Sequence, residues 1–509
     1  MGNLKLTKNK LIVQNTAFLA TRTIVSLGVS FYTTRVILNT LGVSDYGVFS
    51  VIYGVVAFFV FIVSSLNDSV QRYLSISLGE KDNQQVKNVV KNSLAIYVFA
   101  SLIFCLILYF MKSTVFIHVI SIPTDRLTIA SDIYNIALIS IFITIIQTPF
   151  NAIVLAHEKM SFYAYMSICD ALAKLSVAYL LMLITGDKLK VYSVLLLLST
   201  MFIFFCYIFF CFIKFSYVFK TGKFSLKLLK EISLFSFWNV FGNFAYVCRT
   251  QGLNLLVNMF FGVLLNAAYA ISSSVLNAVN SFVQAFITAI RPQIYKSYGS
   301  NDSYRFSQLI ESGTKYTFSI LFILCCPVII LTTPILTLWL KQVPEHAVFF
   351  VRGFLIVALI DSLSACLITG LQSTGRIRNY QICVGLLTFI NLPLSYILFY
   401  FKLPSSSMFL SLISISILCL FLRLYFISIQ TSFSIRRYIF KVLFPCVLLT
   451  VIGFTICSVI YDFYFEYSIL SLFLFVLFFC IVNFTLIFSI ITSREEKNFI
   501  INYLTRKVQ

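Results

Sequence analysis

The sequence is short of charge. Only 11% of its 509 residues are Asp, Glu, Lys or Arg, and 60% are hydrophobic. A water-soluble chain of this length has too much surface to cover for that balance. Polar connections are scarce too, and none on the outer side is long enough to form a separate domain. The 13 cysteines fall within apolar stretches, with no C-x-x-C pair and no Cys/His spacing that suits a metal. They read as small hydrophobes. No nucleophile–base grouping, metal motif or phosphate-cradling glycine loop is present, and His118 and His346 stand without evident partners. These gaps argue against an enzyme and lead us to expect no cofactor.

What the chain does have is long apolar blocks. Stretches of about 20 residues, the length a bilayer core asks of a helix, recur from Leu11 to Thr492. Inside lipid the backbone must satisfy its own hydrogen bonds, so the choice is helices or a closed barrel. Val191–Ile213 and Ile469–Ile491 show none of the alternation of barrel strands. The expected class is therefore an all-α integral membrane protein with about 14 transmembrane helices. The second and seventh are expected at 45–78 and 232–260. Lys5, Lys8 and Lys10 precede a stretch that contains Arg22 and no small-residue cleavage site, so it is expected to be a first helix and not a removable signal.

The net charge of +20 could point to nucleic acid, but its distribution points to topology. With a cytoplasmic N-terminus, one set of loops holds Lys81, Lys87, Lys91, Lys159, Arg376, Arg378, Arg436 and Arg437, among others. The opposite set holds little besides Lys112, Arg126, Lys188, Lys190, Lys341 and Lys402. The split is about 26 to 6, as the positive-inside rule requires, and both termini then lie in the cytoplasm. No nucleic-acid partner is expected. Membrane lipid surrounds the chain, and the segment 215–231 is expected as a cytoplasmic amphipathic linker, with Lys223, Lys227 and Lys230 on one face.

A weak internal repeat flanks that linker. Leu41-Gly42, Asp45-Tyr46, Arg72 and Gly79-Glu80-Lys81-Asp82 match Phe261-Gly262, Asn266 with Tyr269, Arg291 and Gly299-Ser300-Asn301-Asp302, at equal glycine spacing. This predicts a six-helix N-terminal lobe (1–214), a six-helix C-terminal lobe (232–430) and two extra helices with a tail (431–509). An even helix number per lobe makes the repeat parallel, related by a pseudo-two-fold along the membrane normal.

Polar side chains at membrane depth are costly and mark pathways or partners. The first helix carries Asn15, Arg22, Ser26 and Thr33 on one face, with Arg35 well off it. The second carries Ser64, Asp68, Gln71, Arg72 and Ser75; the seventh Asn239, Asn243, Tyr246 and Thr250, with Arg249 a quarter turn away. The eighth has the longest stripe, through Asn277, Asn280, Ser281, Gln284, Thr288 and Arg291. Asp170 and Lys174 can pair at i,i+4, as can Asp68 and Arg72, whereas Asp361 has no opposite charge within a turn. We expect Arg22, Arg35, Arg72, Arg249, Arg291, Asn243, Asn277 and Gln284 to contact substrate, and Asp68, Asp170 and Asp361 to be candidates for ion coupling. Snorkelling arginines, structural ion pairs and helix-packing amides are the plainer alternatives. Deep guanidinium groups suit an anionic substrate such as a pyrophosphate.

Three stretches resemble the polysaccharide flippase family, the Wzx-type oligosaccharide translocases, a branch of the superfamily that includes multidrug-and-toxin extruders and the lipid II flippase. They are Thr34–Gly47, Asn67–Gly79 and above all Gly252–Gly299, with NMFFG, NAAYAIS and RPQIYKSYG. The resemblance implies two six-helix lobes forming a V, two extra helices, and transfer of undecaprenyl-diphosphate-linked oligosaccharide repeat units to the outer leaflet of the bacterial inner membrane by alternating access. It implies a proton or sodium gradient as energy source and a polysaccharide polymerase as downstream partner. In the lipid II relative, arginines on the first helix and at the start of the second lobe line a cationic cavity. Arg22, Arg35 and Arg249 occupy similar regions, and Asp45 stands where that relative has an acid after its first helix. The rival readings are a cation-coupled multidrug exporter of the same superfamily and a membrane polysaccharide polymerase or ligase.

The topology is testable. In a cysteine-free background, a cysteine at Lys81 or Asn301 should react with a membrane-impermeant maleimide only from the cytoplasmic face, and one at Lys402 only from outside. Labelling of all three positions from one face would refute the helix alternation.

Overall fold

The computed structural model describes residues 2–57, 60–114, 116, 126–184, 186–340, 343–464, 468–492 and 497. Among these the chain is helical, without strands. In order the helices are α1 (Gly2–Ala57), α2 (Val60–Gly79), α3 (Asn83–Thr114), α4 (Leu127–Ala156), α5 (Met160–Leu180), α6 (Lys188–Lys214), α7 (Leu226–Gly299) and α8 (Ser303–Ile330). They continue with α9 (Thr332–Leu340), α10 (Ala347–Ser362), α11 (Ala365–Thr374), α12 (Arg378–Tyr400), α13 (Ser407–Gln430), α14 (Ile435–Tyr438), α15 (Phe444–Tyr464) and α16 (Ile469–Ile490).

Among the described residues, 12 helices are long and apolar enough to cross a membrane, against the expected count of about 14. The stretches expected as second and seventh spans are the two not among them: 45–78 includes two residues outside the described ones, and the first part of α7 carries Asn239, Asn243, Arg249 and Asn254, which lower its hydropathy.

α1 and α7 are each two helices joined at a glycine. Gly42 (φ 79°, ψ 168°) and Gly262 (φ 79°, ψ −175°) take nearly the same conformation, one that L side chains rarely adopt. The repeat seen in the sequence thus has the same backbone break in both copies. Its closing glycines match as well. A Cβ on Gly79 would lie 2.4 Å from the Lys296 carbonyl oxygen, and one on Gly299 would lie 2.5 Å from that of Ile76. Each glycine therefore admits the backbone three residues before the other, the reciprocal contact of a local two-fold. Both helix ends finish alike, with Lys81 (φ 59°) and Asn301 (φ 54°) left-handed. Asp82 and Asp302 each donate a backbone N–H over 3.0 Å, to Ser77 and Ser297.

The chain falls into two compact units, Met1–Phe244 with Tyr295–Asp302, and Ala245–Ile294 with Ser303–Gln509. The first unit packs α2, α3, α4 and α6 around Val86, Val89, Tyr97, Ile153, Tyr207 and Ile232. Its buried tyrosines still spend their hydroxyls: Tyr97 donates to Leu66 O (2.6 Å) and Tyr134 to Leu108 O (2.8 Å). Residues 220–225 are non-helical and strapped to α3. Asn88 accepts from Lys223 N (2.7 Å), Asn92 accepts from Ser225 N (3.2 Å), and Lys91 donates to Gly222 O (3.0 Å). Lys223 therefore precedes the helix, and only Lys227 and Lys230 of the expected basic face stand within α7.

The second unit uses small residues where helices cross: Gly353 lies under Phe409, Gly370 under Ile310, and Gly453 under Phe322. It also contains a broken helix. Between α10 and α11, Leu363 and Ser364 form a turn in mid-span. The Leu363 carbonyl exposed by the break is satisfied by the Tyr438 hydroxyl at 2.6 Å. Irregular backbone at membrane depth is tolerated only where protein or water supplies such partners.

Gly299→Ala should destabilise the protein by about 1–3 kcal/mol, because the clashing atom is backbone and cannot rotate away. Gly28→Ala, with nothing within 4 Å, should be neutral or slightly stabilising. Melting temperatures in detergent check both, and equal values would refute the close crossing.

Candidate functional site

In the first unit, Arg22 sits on α1 with its guanidinium carbon 4.9 Å from the ring centre of Tyr163 on α5. Such stacking leaves the N–H edge free for an acceptor. The Nε of Arg22 is buried with no hydrogen-bond partner, as are Asn15 Nδ2 and Ser26 Oγ on the same helix face. Tyr207 on α6 is within electrostatic range of Arg22, Tyr163 and Asp170. Asp170 is held by Lys174 at 2.7 Å, the expected pair, and its side chain is 35% exposed. The group is a cation flanked by two tyrosines and one neutralised carboxylate.

In the second unit, Arg249 on α7 is buried. Its Nη2 donates to Asp361 Oδ2 at 3.3 Å, and its guanidinium carbon lies 5.1 Å from the ring centre of Tyr246. This corrects the expectation that Asp361 is unpaired, for its partner is 112 residues away in sequence and therefore invisible to helix spacing. Asp361 stands at the C-terminal end of α10, beside the helix break. Arg423 on α13, absent from the sequence-derived candidates, is within electrostatic range of the same carboxylate and of Tyr380. The signal for it was a single charge inside an otherwise apolar stretch, Cys419–Phe426. The Nε atoms of Arg249 and Arg423 are both buried without a partner.

The remaining candidates separate. Arg72 is buried between Tyr73 (4.6 Å) and Phe235 (4.8 Å), with Tyr295 and Tyr298 within electrostatic range. Asn243 donates to Ser65 Oγ at 2.6 Å, and Asn239 to Ser65 O at 3.2 Å, so these amides tie α7 to α2. Arg291 is within electrostatic range of Cys366 on α11. Arg35, Asn277 and Gln284 are exposed, and Asp68 is half-buried.

Asp45 is engaged by Arg126 (3.1 Å), which also reaches Asp187 (2.8 Å). Asp187 caps α6 through Leu189 N and Lys190 N. This network joins α1 beyond its kink to α6, and sequence spacing could not have revealed it. His346 starts α10 in a left-handed conformation, and His118 and Lys341 lie outside the described residues.

A cycle of Arg249→Gln, Asp361→Asn and the double variant should give a coupling of about 1–3 kcal/mol in thermal melts, because each single change strands a charge in a low-dielectric setting. Additive single effects would refute the pair.

The MatE family profile matches residues 21–180, less than a third of the chain. No curated protein matches the chain in sequence. Solved structures do match in shape. A MATE protein in the bent conformation is similar at TM-score 0.74 and 13% identity, over 84% of this chain and 98% of its own. A multidrug resistance MATE family transporter of the MOP superfamily in an outward-facing conformation is similar at 0.70 and 12%, over 82% and 96%. A MOP superfamily transporter from Pyrococcus furiosus Vc1, for which reverse polarity of the binding pocket suggests a different function, is similar at 0.68 and 11%, over 82% and 96%. The chain therefore has the fold of the MATE transporters of the MOP superfamily.

Proposed function

We propose that the protein moves an undecaprenyl-diphosphate-linked oligosaccharide from the inner to the outer leaflet of a bacterial cytoplasmic membrane, by alternating access. The observation that carries this reading is the sign of the buried charge. Arg22 and Arg249 each hold a buried Nε–H without an acceptor, and Arg22 has no carboxylate bonded to it among the described residues. An unsatisfied guanidinium at membrane depth is costly, and a phosphate oxygen is the acceptor its geometry fits best. The tyrosines beside these arginines, Tyr163 and Tyr246, offer faces and hydroxyls to sugars. The lipid tail requires no polar path. In this reading Arg22 and Arg249 each offer a phosphate contact within their own unit, exposed Arg35, Asn277 and Gln284 contact substrate outside the diphosphate, and Asp170 and Asp361 are the acids available for coupling to an ion gradient. Arg72 and Asn243 act by holding helices, and Arg291 contacts substrate. A polymerase is the natural consumer of the delivered unit.

A second reading has its own support. The half-exposed carboxylate of Asp361 and the likeness to a multidrug resistance transporter fit cation-coupled drug export. The relative with a pocket of reverse polarity shows that this fold accommodates pockets of different charge. The excess of buried guanidinium over carboxylate favours the anionic substrate.

The test uses cells lacking the protein, complemented with wild type or Arg22→Ala. The undecaprenyl-linked unit should accumulate on the inner leaflet in the null, and wild type but not a well-expressed Arg22→Ala should cure this. If the unit reaches the outer leaflet in the null, the reading fails.

A further inference from the structure

The charge count around Asp361 does not balance. Arg249 bonds it at 3.3 Å, and Arg423 lies within electrostatic range of it from another helix. Among the described residues, Asp361 is the only carboxylate in an ion pair with either arginine, and Arg423 has no ion pair of its own. The other groups acting most strongly on them are uncharged: Tyr246 and Cys419 on Arg249, Tyr380 and Cys419 on Arg423. One negative charge thus serves two positive ones in an apolar bundle. Buried charges in such surroundings persist only when matched.

The hydrogen-bond count is short as well. Each guanidinium keeps a buried Nε–H with no acceptor. The bond that is made, Nη2 to Oδ2, is long for a charge-assisted contact and uses one prong of the fork. Asp361 is the looser member, its side chain 34% exposed against 9% for Arg249, and it stands at a break in its helix where backbone can move. Arg249 is held by the ring of Tyr246, and Arg423 lies within electrostatic range of Tyr380 on the neighbouring helix. The two cations are held, and the anion is the piece free to leave.

We infer that Arg249 and Arg423 form a two-guanidinium site for a diphosphate, in which Asp361 is a resident counter-anion that the ligand displaces. A diphosphate supplies two groups of acceptors, one for each fork, and more negative charge than the carboxylate it replaces. Displacement makes binding an exchange: the ligand gains both arginines while Asp361 regains water. An empty site keeps its arginines partly neutralised, and an occupied one frees an acid. This deepens the proposed function and rests on it for the lipid-borne source of the diphosphate. The site itself does not need the lipid.

The experiment measures binding of inorganic pyrophosphate to the purified full chain by calorimetry, then repeats it with a short-chain prenyl diphosphate. Arg423→Gln should weaken pyrophosphate about tenfold or more, and Arg423→Lys should weaken it several-fold, because a lysine keeps the charge and loses the fork. Asp361→Asn should tighten it about tenfold by removing the competitor. Melting without ligand establishes that each variant is folded, and if the Gln variant is not, the Lys variant decides. Wild-type affinity in a folded Arg423 variant, or no gain in Asp361→Asn, overturns the site. Binding of prenyl diphosphate with the same variant pattern, but not of pyrophosphate, supports it and places the diphosphate on a lipid. The two readings separate cleanly. If pyrophosphate binds with this pattern but no lipid is moved, the function falls and the site stands. If Arg423→Gln moves lipid at the wild-type rate, the site falls and the function stands.

Discussion

A guanidinium cannot discharge itself inside a membrane. Arginine keeps its proton at any pH the chain meets, so each deep arginine must be given an anion, an aromatic face or water. Much of the polar arrangement here follows from that demand. Arg72 is given two aromatic faces, Arg22 one, and Arg249 a ring and a shared carboxylate. At Arg72 aromatic rings stand on two sides. Where the solution is incomplete, as at Arg22, Arg249 and Arg423, the missing acceptor is what a substrate can bring.

The backbone accommodates these groups by being irregular at chosen points. Glycine permits the break in α1 and α7, since φ near 79° is closed to most side chains. The break between α10 and α11 puts Asp361 at a helix end, and Tyr438 repairs the carbonyl it exposes. The reciprocal crossing at Gly79 and Gly299 needs backbone against backbone, which any side chain would block. Irregularity at membrane depth thus occurs where a glycine or a donor makes it affordable.

Much of this was legible in the sequence, and the rest was not for definable reasons. Span length and charge bias are local properties, so the helical class followed from composition. The paired glycines were visible as equal spacing, and the structure gives them matched conformations and a shared crossing. Arg22 and Arg249 announced themselves as charges in apolar runs. Contacts across the bundle were another matter. Asp361 looked unpaired because Arg249 is on a different helix, and Asn243 looked available because Ser65, which uses it, is 178 residues away. Arg423 is a lone charge in the apolar stretch of α13 and was not among the sequence-derived candidates. The polarity that drew attention to the first part of α7 also kept it below the apolarity of a plain span.

The central claim is that the buried positive charge selects an anionic lipid. Reconstituted vesicles test it most directly. Purified protein would be placed in liposomes containing a fluorescent undecaprenyl-diphosphate oligosaccharide, and the fraction shielded from an external glycosidase followed in time, with a lipophilic cation assayed in parallel. The account predicts that the protein exposes the shielded lipid within minutes and does not move the cation. Movement of the cation with the lipid left in place would contradict it.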